Sequence, residues 1–443
     1  MKIPNGFKLG AATSAFQIEG ALSQDGRGPS IWDNFAGRTG HTGEIACDHY
    51  NRFSEDVKLM ADLGLDAYRF SVAWPRIFPD GRGSVNQKGL DFYSRLVDEL
   101  LENNIKPYPT LFHWDLPLAL EKEGGWETRA TSDHFADYAD TVGQTLGDRV
   151  KDWFTLNEPW SVTVLGYQLG QHAPGKDKCI QTALKVVHHL LLAHGKALSR
   201  LRRQDKEYRV GIVLNPWVPI PLTYRAEDVE AARQAWTEQV AWWFDPIFCG
   251  KYPENRSPDD ADYHKEGDME CISQPIDHLG LNYYFPGFIR ASQAEDRDYE
   301  DCEPLVSLPR SEMGWPSYPA GLSFMLEEVH RRYRPQAIYL TESGCAAPDL
   351  VSERDEIEDL FRQEYLRSHL RETLSSREKG IPVEGYFAWS LMDNFEWDRG
   401  YTKRFGLYYV DYETLERKMK RSAHWYSRVC SQREIVGEPT LEG

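Results

Sequence analysis

The sequence predicts an α/β fold, a single (β/α)8 TIM barrel with elaborated βα loops. Three observations predict it. Short apolar segments typical of strands recur along the whole chain, each precedes a stretch with apolar residues at helical spacing, and no gap in this alternation leaves room for a second domain. Residues 1–443 are therefore predicted to form one domain. In such a barrel the strands are parallel and the functional residues lie at their carboxyl ends.

Eight segments are predicted as barrel strands because they are rich in apolar, β-branched and aromatic residues and are bounded by turn-forming ones. They span 7–16, 67–74, 106–113, 152–158, 209–217, 277–285, 337–342 and 385–394. The helices between them are predicted from apolar residues at helical spacing. They span 53–63, 89–103, 132–146, 179–203, 226–244, 321–333 and 357–376.

Three polar segments are predicted to lie outside this pattern. Segments 253–268 and 292–304 are charged and turn-rich, so we expect surface loops of the barrel rather than linkers between domains. The acidic run 353–359 is predicted to open the helix that follows it, because negative charge is favourable at the positive end of a helix dipole.

The composition favours a large core and a neutral substrate. Of the 443 residues 41% are hydrophobic, and 14 Trp, 23 Tyr and 19 Phe are more rings than packing usually needs, so some of them are predicted to line a site. The formal net charge of −18 argues against nucleic acid or an anionic membrane surface as partner, because the field of the protein would repel both.

The amino terminus and the cysteines predict a cytoplasmic protein. The first residues lack the apolar region of a signal peptide, and no stretch approaches the length of a membrane span. The seven cysteines are scattered, odd in number and free of Cys-x-x-Cys pairs. This pattern suits reduced thiols and predicts no zinc site.

Two of the predicted strands deliver a glutamate to the same rim. The segment WFTLNEPW, from Trp153, places Glu158 at a strand end, because Pro159 removes a backbone donor and stops the strand. The segment AIYLTESG, from Ala337, places Glu342 just before a glycine. Either glutamate alone is as consistent with a helix cap or a solvated residue as with catalysis. Together they are a candidate pair of catalytic carboxyls.

The other strand ends add polar and aromatic side chains to this rim. Amides, an imidazole, a third carboxylate and indoles suit a neutral polyhydroxylated ring, since they offer directional hydrogen bonds to its hydroxyls and flat surfaces to its C–H faces. A purely structural barrel would place aliphatic residues there. The residues are Gln17, Arg69, Trp74, His113, Trp114, Asn157, Asn215, Asn282, Tyr284, Trp389, Glu396 and Trp397.

Competing chemistries lack their motifs. The sequence has no G-x-S-x-G elbow, no H-E-x-x-H, no P-loop and no G-x-G-x-x-G after a strand. His188, His189 and His194 lie in an apolar helical stretch, which is typical of core or surface histidines rather than of metal ligands. Neither a metal nor an organic cofactor is predicted.

Five long motifs carry a resemblance to a known family. They are YRFSVAWPRI from Tyr68, HWDLP from His113, TLNEPW from Thr155, LNYY from Leu281 and WSLMDNFEW from Trp389, in this order along the chain. In these motifs, and over nearly its whole length, the sequence resembles the β-glucosidases of glycoside hydrolase family 1.

The resemblance implies a role for each matching residue. Glu158 would be the acid/base, Glu342 the nucleophile, and Arg69 and Tyr284 would support the nucleophile. The positions implied to bind substrate are Gln17, His113, Trp114, Asn157, Asn282, Tyr284, Trp315, Trp389, Glu396 and Trp397.

The chain departs from the family pattern at two positions. Ser343 follows the implied nucleophile where the family usually has asparagine. We therefore expect the contacts that support Glu342 to differ from those of the family. Ser317 stands where the family more often has a bulkier residue, on the leaving-group side of the site.

The resemblance implies a single catalytic domain that acts as a retaining β-glucosidase. Such an enzyme removes terminal β-D-glucosyl residues from short β-glucosides, among them cello-oligosaccharides and aryl or alkyl β-glucosides, by double displacement between carboxyls about 5 to 5.5 Å apart. β-Galactosides and β-fucosides are expected as further substrates, and carbohydrate metabolism with cellulose degradation as the role. Arg69 and Tyr284 are expected to favour ionised Glu342, whose charge would raise the pKa of Glu158.

Two alternatives remain open from the sequence. The first is a phospho-β-glycosidase of the same family, against which Glu396 argues, because the phosphate-specific members typically place a serine there. The second is an inactive sugar-binding barrel, which would need one of the two glutamates to be replaced. The sequence does not indicate the preferred aglycone, the preferred hexose or the oligomeric state.

Overall fold

The structure, a computed structural model of the chain, describes residues 1–254, 262–294, 297–352 and 356–435. Eight parallel strands close into a barrel in which each strand pairs with its neighbours in sequence and the first pairs with the last. This confirms the predicted (β/α)8 fold. The strands are β1 Lys8–Ala12, β2 Ala67–Ser71, β3 Lys106–Phe112, β4 Asp152–Asn157, β5 Arg209–Leu214, β6 His278–Asn282, β7 Ile338–Ser343 and β8 Val383–Trp389.

Aromatic rings fill the inside of the barrel. The ring of Tyr108 in β3 lies 5.5 Å, between centroids, from Tyr339 in β7 and from Phe387 in β8. Since β3 is a neighbour of neither strand, these contacts run through the barrel interior. Gly10 in β1 leaves room for one of the rings, because a Cβ there would meet Cδ1 of Phe387 at 2.6 Å. The space below the rim is therefore a packed core.

A helix follows each strand and packs its apolar side against the outside of the barrel. The helices are α1 His49–Leu63, α2 Gln87–Glu102, α3 Ala130–Leu146, α4 Ile180–Gln204, α5 Ala226–Trp236, α6 Pro319–Tyr333, α7 Leu360–Glu378 and α8 Arg421–Gln432. The predicted spans agree closely for α1 to α4 and for α6. The three histidines of α4 are buried and hydrogen-bonded to protein groups, as expected of core histidines.

Two helices differ from the prediction. The segment predicted as one helix over 226–244 consists of α5, a π-helical turn at Thr237–Ala241 and a further helix at Trp242–Cys249. Helix α8 was missing from the predicted set, although Ala423, Tyr426 and Val429 give it a buried face at helical spacing. The sequence therefore contained a signal for this helix.

The acidic run precedes α7 instead of opening it. Ile357–Glu358 pairs with Leu350–Val351 in a small sheet, so the helix begins only at Leu360. The carboxylate of Asp359 turns to Arg362 and to the hydroxyl of Ser422. Residues 353–355 of the run lie outside the described residues.

The βα loops carry further elements, as predicted. Gly287–Ala291 pairs with Pro219–Pro221 and with Tyr299–Cys302, and Tyr408–Val410 pairs with Arg417–Met419. The predicted surface loops 253–268 and 292–304 are only partly covered, since 255–261 and 295–296 lie outside the described residues. Within the described ranges, no helix is long and apolar enough to cross a bilayer.

A buried ionic network ties the loop after β7 to the loop after β8. Lys420 is fully buried and donates to Asp349 and to Asp393, at 2.7 Å each. Arg362 donates to Asp349 at 2.9 Å, and Arg404 donates to Asp393 at 2.6 Å. Because charges removed from water are stable only when paired, each member of this network depends on the others.

We therefore expect Lys420→Met to destabilise the fold. The substitution keeps the volume but leaves two buried carboxylates short of a partner, which should lower the free energy of unfolding by about 3 kcal/mol. The urea midpoint of unfolding measures this. The matched control is Lys379→Met, which breaks an exposed pair with Glu327 and should leave the midpoint unchanged. Equal midpoints for both variants would contradict the structural role of the network.

Candidate active site

A cavity of about 360 Å³ lies at the carboxyl ends of the strands. Eleven of the predicted residues line it: His113, Trp114, Glu158, Asn215, Asn282, Tyr284, Trp315, Glu342, Trp389, Glu396 and Trp397. Gln17, Arg69 and Asn157 are fully buried and contact residues of the rim through hydrogen bonds. Trp74 is different, because its indole donates to the carbonyl of Gly81 and packs in the core outside the barrel.

Glu342 lies near the carboxyl end of β7 and is held at both oxygens. The guanidinium of Arg69 donates to Oε1 at 2.6 Å, and the phenol of Tyr284 donates to Oε2 at 2.7 Å. Both residues are buried or half-buried, so little water competes with these bonds. A charge-assisted pair of this kind is short and strong.

The residue after Glu342 also bears on its support. Ser343 is fully buried and lies beside the phenols of Tyr365 and Tyr386. Tyr365, in α7, donates its hydroxyl to the backbone carbonyl of Tyr284 at 2.9 Å. Support for the tyrosine that contacts Glu342 therefore comes from α7, and the small serine leaves room for it.

Glu158 leaves β4 in a left-handed backbone conformation, with φ of 47°. Such a conformation costs a non-glycine residue roughly 1 kcal/mol or more, so the surrounding contacts must hold it. Its backbone N–H donates to the carbonyl of Val213 in β5 at 2.9 Å. Its carboxyl accepts from Asn282 at Oε1, at 2.6 Å, and from Ser161 at Oε2, at 2.7 Å.

Asn157 connects the two glutamates. Its Oδ1 accepts from Arg69 at 2.6 Å and from Asn282 at 3.1 Å, so one amide oxygen contacts the partner of each glutamate. Its Nδ2 lies 3.0 Å from Nε2 of His113. The amide is therefore fixed in orientation, and a second Nδ2 proton is left for another acceptor.

Burial and mutual repulsion shift the protonation of both glutamates. Burial and the charge of Glu342 raise the pKa of Glu158 to about 7. Burial raises the pKa of Glu342 as well, while Arg69 and Tyr284 act in the opposite direction and favour its ionised form, as the sequence predicted. Glu158 has only neutral partners at its oxygens, whereas Glu342 touches a guanidinium, so Glu342 is the carboxyl that ionises more readily.

Glu396 is a third carboxyl of the cavity. Burial, Asp398 and the two catalytic candidates raise the pKa of Glu396 to about 8. Its Oε2 is buried and has no hydrogen-bond partner among the described residues. The loop that carries it is fixed by Gln17, whose amide donates to the carbonyl of Phe395 at 2.8 Å. Glu396 therefore offers an oriented carboxyl oxygen for a hydrogen bond to a ligand in the cavity.

Closely packed aromatic rings form one side of the cavity. The ring of Trp397 lies 4.5 Å, between centroids, from Trp114, and the ring of His113 lies 5.8 Å from Trp389. Trp114 and Trp397 both have positive φ, of 79° and 41°. Like Glu158, these residues are held in strained conformations at the site, which is where such strain concentrates.

The outer part of the cavity was largely missed by the sequence reasoning. It is lined by Trp160, Asn215, Trp217, Phe285, Met313 and Trp315. Trp315 packs on Phe285 with ring centroids 5.0 Å apart. Of this group only Asn215 and Trp315 were predicted. Trp217 and Phe285 end predicted strands and Trp160 lies at the start of a helical segment, so these three had a local signal, whereas Met313 lies in an irregular loop.

Ser161 and a histidine–aspartate pair are further residues that the sequence reasoning missed. Pro159 is at the first helical position, so Glu158 is the N-cap residue and Ser161 is the N3 residue. An N3 side chain commonly contacts the N-cap residue, so the sequence contained a local signal for this contact. His172 lies 3.5 Å from Asp398, from the loop after β4 to the loop after β8. Such a long-range pair has no local signal.

A barrel that places two buried glutamates, a dense set of hydrogen-bonding side chains and several indoles in one cavity has the site of a glycoside hydrolase. No group of three or more His, Cys, Asp or Glu residues within the described ranges is arranged to hold a metal ion. The model of glycosyl hydrolase family 1 matches residues 1–435. The chain belongs to this family.

Known proteins similar to the chain agree with this assignment. A 1,4-beta-D-glucan glucohydrolase of Thermotoga neapolitana is 45% identical over 444 residues, which cover 98% of this chain and 99% of the relative. A bifunctional beta-D-glucosidase/beta-D-fucosidase of Bifidobacterium breve is 42% identical over 458 residues, covering 97% and 98%. The solved beta-glucosidase of Thermotoga maritima in complex with glucoimidazole is 43% identical, with a TM-score of 0.92 and coverage of 98% and 99%.

The raised pKa of Glu158 can be tested directly. We expect its carboxyl to titrate near pH 7, and its pKa to fall in Glu342→Gln, because that change removes a negative charge and frees the positive charge of Arg69. Difference infrared spectroscopy of the carboxyl band measures this, with Glu158→Gln used to assign the band. A pKa of Glu158 that does not move in Glu342→Gln would contradict the electrostatic coupling.

Proposed function

We propose that this glycoside hydrolase is a retaining β-glucosidase with Glu342 as nucleophile and Glu158 as acid/base. The observation that carries the proposal is the different environment of the two carboxyls. Glu342 is held by a cation and a phenol, and Glu158 by neutral donors in a site that raises its pKa to about 7. A pair of carboxyls in opposite protonation states is what double displacement requires.

In the first half of the reaction, Glu342 attacks the anomeric carbon while Glu158 gives its proton to the leaving oxygen. Tyr284 and Arg69 orient the attacking carboxylate. The remaining proton of the Asn157 amide is suited to donate to the sugar 2-hydroxyl, an interaction that strengthens in the transition state. Once Glu342 is esterified its charge is gone, so the pKa of Glu158 falls and Glu158 then serves as base for water.

The rest of the cavity suits a terminal glucosyl unit. His113 and Glu396 offer hydrogen bonds to sugar hydroxyls, Trp389 and Trp397 offer flat faces, and Trp315 lies on the leaving-group side. The similar proteins named as glucan glucohydrolase and as glucosidase/fucosidase support short β-glucosides as substrates, with β-fucosides and β-galactosides accepted. Cellulose degradation is the corresponding role.

We further propose that residues 1–443 act as one catalytic domain, without a cofactor and without nucleic acid as partner. The chain continues from one βα unit to the next around the closed barrel, which supports a single domain. All seven cysteines are free thiols, which supports a reducing compartment such as the cytoplasm.

The role of Glu342 is tested by its alanine variant. Glu342→Ala should abolish hydrolysis of nitrophenyl β-glucoside while the circular dichroism spectrum stays that of the parent. The change opens space below the anomeric carbon, so added azide or formate should partly restore turnover of an activated substrate. Full activity without any added anion would refute the assignment.

The phospho-β-glycosidase alternative is tested by a 6-phosphorylated substrate. The cavity contains the carboxyls of Glu158, Glu342, Glu396 and Asp398, and a phosphate about 4 Å from an ionised Glu396 would be repelled by about 4 kcal/mol at an effective dielectric of 20. Since the pKa of Glu396 is about 8, this repulsion should grow as the pH rises through that value.

We expect kcat/KM to favour plain nitrophenyl β-glucoside over its 6-phosphate, and the ratio to rise about fourfold between pH 6.5 and pH 8.5, because Glu396, with a pKa of about 8, is mostly protonated at the lower pH. The control Glu396→Gln removes the titrating charge, so the ratio should no longer depend on pH in that range. If the parent cleaves both substrates equally well, the phospho-β-glycosidase reading replaces the one proposed here.

A further inference from the structure

Ser161 lies between the acid/base candidate and the leaving-group side of the cavity. Its hydroxyl is 2.7 Å from Oε2 of Glu158, and Nδ2 of Asn215 is 3.2 Å from the same hydroxyl. Ser161 is 3% exposed, and both it and Asn215 line the cavity. A serine hydroxyl therefore connects the carboxyl that handles the proton with an amide that faces the leaving group.

The direction of these hydrogen bonds follows from their chemistry. The amide N–H of Asn215 can only donate, so the oxygen of Ser161 accepts from it and the single hydroxyl proton is directed to Glu158. The other partner of Glu158 is Asn282, whose Oδ1 accepts from the hydroxyl of Thr341 at 2.7 Å, so its N–H side faces Glu158. Of these two partners, Ser161 alone can change from donor to acceptor.

We propose that Ser161 is a positioning residue for proton transfer by Glu158, and that Asn215 orients it. This inference rests on the acid/base role proposed for Glu158. Ser161 donates to the carboxylate form of Glu158 and accepts from the protonated form, so it holds Oε2 toward the leaving group in both halves of the reaction.

The two halves of the reaction need such a reversible partner. In the first, the glycosidic C–O bond breaks, Glu342 bonds to the anomeric carbon, and the proton of Glu158 goes to the leaving oxygen. In the second, a water oxygen bonds to the anomeric carbon, the ester to Glu342 breaks, and the water proton goes to Glu158. A partner that could only donate would oppose the protonated state at the same oxygen, whereas a hydroxyl rotates to fit both.

The charged and titratable groups that face Glu158 come from four other elements. They are Arg69 in β2, Tyr284 after β6, Glu342 in β7 and Glu396 after β8. Replacing Ser161 changes none of them. Ser161 stabilises the ionised form of Glu158 more than the protonated form, because a hydrogen bond to a charged group is the stronger one. Its loss therefore raises the pKa of Glu158, and the alkaline limb of kcat/KM, which reports loss of that proton, moves to higher pH.

The test is the pH profile of kcat/KM for nitrophenyl β-glucoside in Ser161→Ala. We expect the alkaline limb to move up by about one pH unit, since a hydrogen bond to a charged group is worth about that much in pKa. With cellobiose, a poor leaving group, kcat/KM should fall about tenfold, and with dinitrophenyl β-glucoside much less, because the latter needs little protonation.

Two variants serve as controls. Ser161→Thr keeps the hydroxyl and should keep the alkaline limb of the parent. Thr163→Val removes a buried hydroxyl from the same helical turn, one without a hydrogen-bond partner among the described residues, and should leave the profile unchanged. If the limb of Ser161→Ala stays where the parent has it, or if Thr163→Val moves it equally, the inference is overturned.

Glu158→Ala separates this inference from the function on which it rests. Loss of the alkaline limb in Glu158→Ala, and no additional effect of Ser161→Ala in that background, would show that the serine acts through the glutamate. A limb that persists in Glu158→Ala refutes the role of Glu158 itself. A limb that is lost in Glu158→Ala but unmoved in Ser161→Ala refutes the role of Ser161 alone.

Discussion

The buried ion pair between Arg69 and Glu342 is the interaction on which the rest of the site depends. Arg69 is fully buried, and its guanidinium spans the barrel from β2 to Glu342 in β7 and to Asn157 at the end of β4. Removing a charge from water in a protein interior costs several kcal/mol, so neither member of the pair is stable there without the other. Nε of Arg69 also donates to Thr110, so the guanidinium is fixed in position. It could not move to follow a displaced carboxylate.

That geometry explains how several carboxyls coexist in one cavity. Glu342 raises the pKa of Glu158, both of them raise the pKa of Glu396, and of the three only Glu342 is in contact with a guanidinium. The negative charge therefore collects on Glu342, while Glu158 and Glu396 retain protons to a higher pH than a glutamate in water. The proposed roles of nucleophile and acid would thus follow from the position of one arginine, and the two glutamates need no intrinsic difference.

The barrel and most of the residues that line the inner part of the cavity could be predicted from the sequence because both follow from strand ends. A strand that ends at Glu158 or Glu342 in a parallel barrel must bring that side chain to the rim, whatever the loops do. The start of α7 could not be predicted, since the pairing of Ile357–Glu358 with Leu350–Val351 is a tertiary contact. The pair of His172 and Asp398 was missed for the same reason, because it joins two loops that are far apart in sequence.

The division between rim and loops also explains where variation in substrate would arise. The residues that would contact the glycosyl unit are anchored to strands by buried hydrogen bonds, as with Asn282 through Thr341 and Asn157 through Arg69. The proposed leaving-group side is formed by loop residues such as Trp217 and Met313, which pack against neighbouring hydrophobic side chains. Substitutions there would change the preferred aglycone without disturbing the charges of the site. Ser161 is the exception, since it faces the leaving group and contacts Glu158, so a change at this one position would alter both recognition and proton transfer.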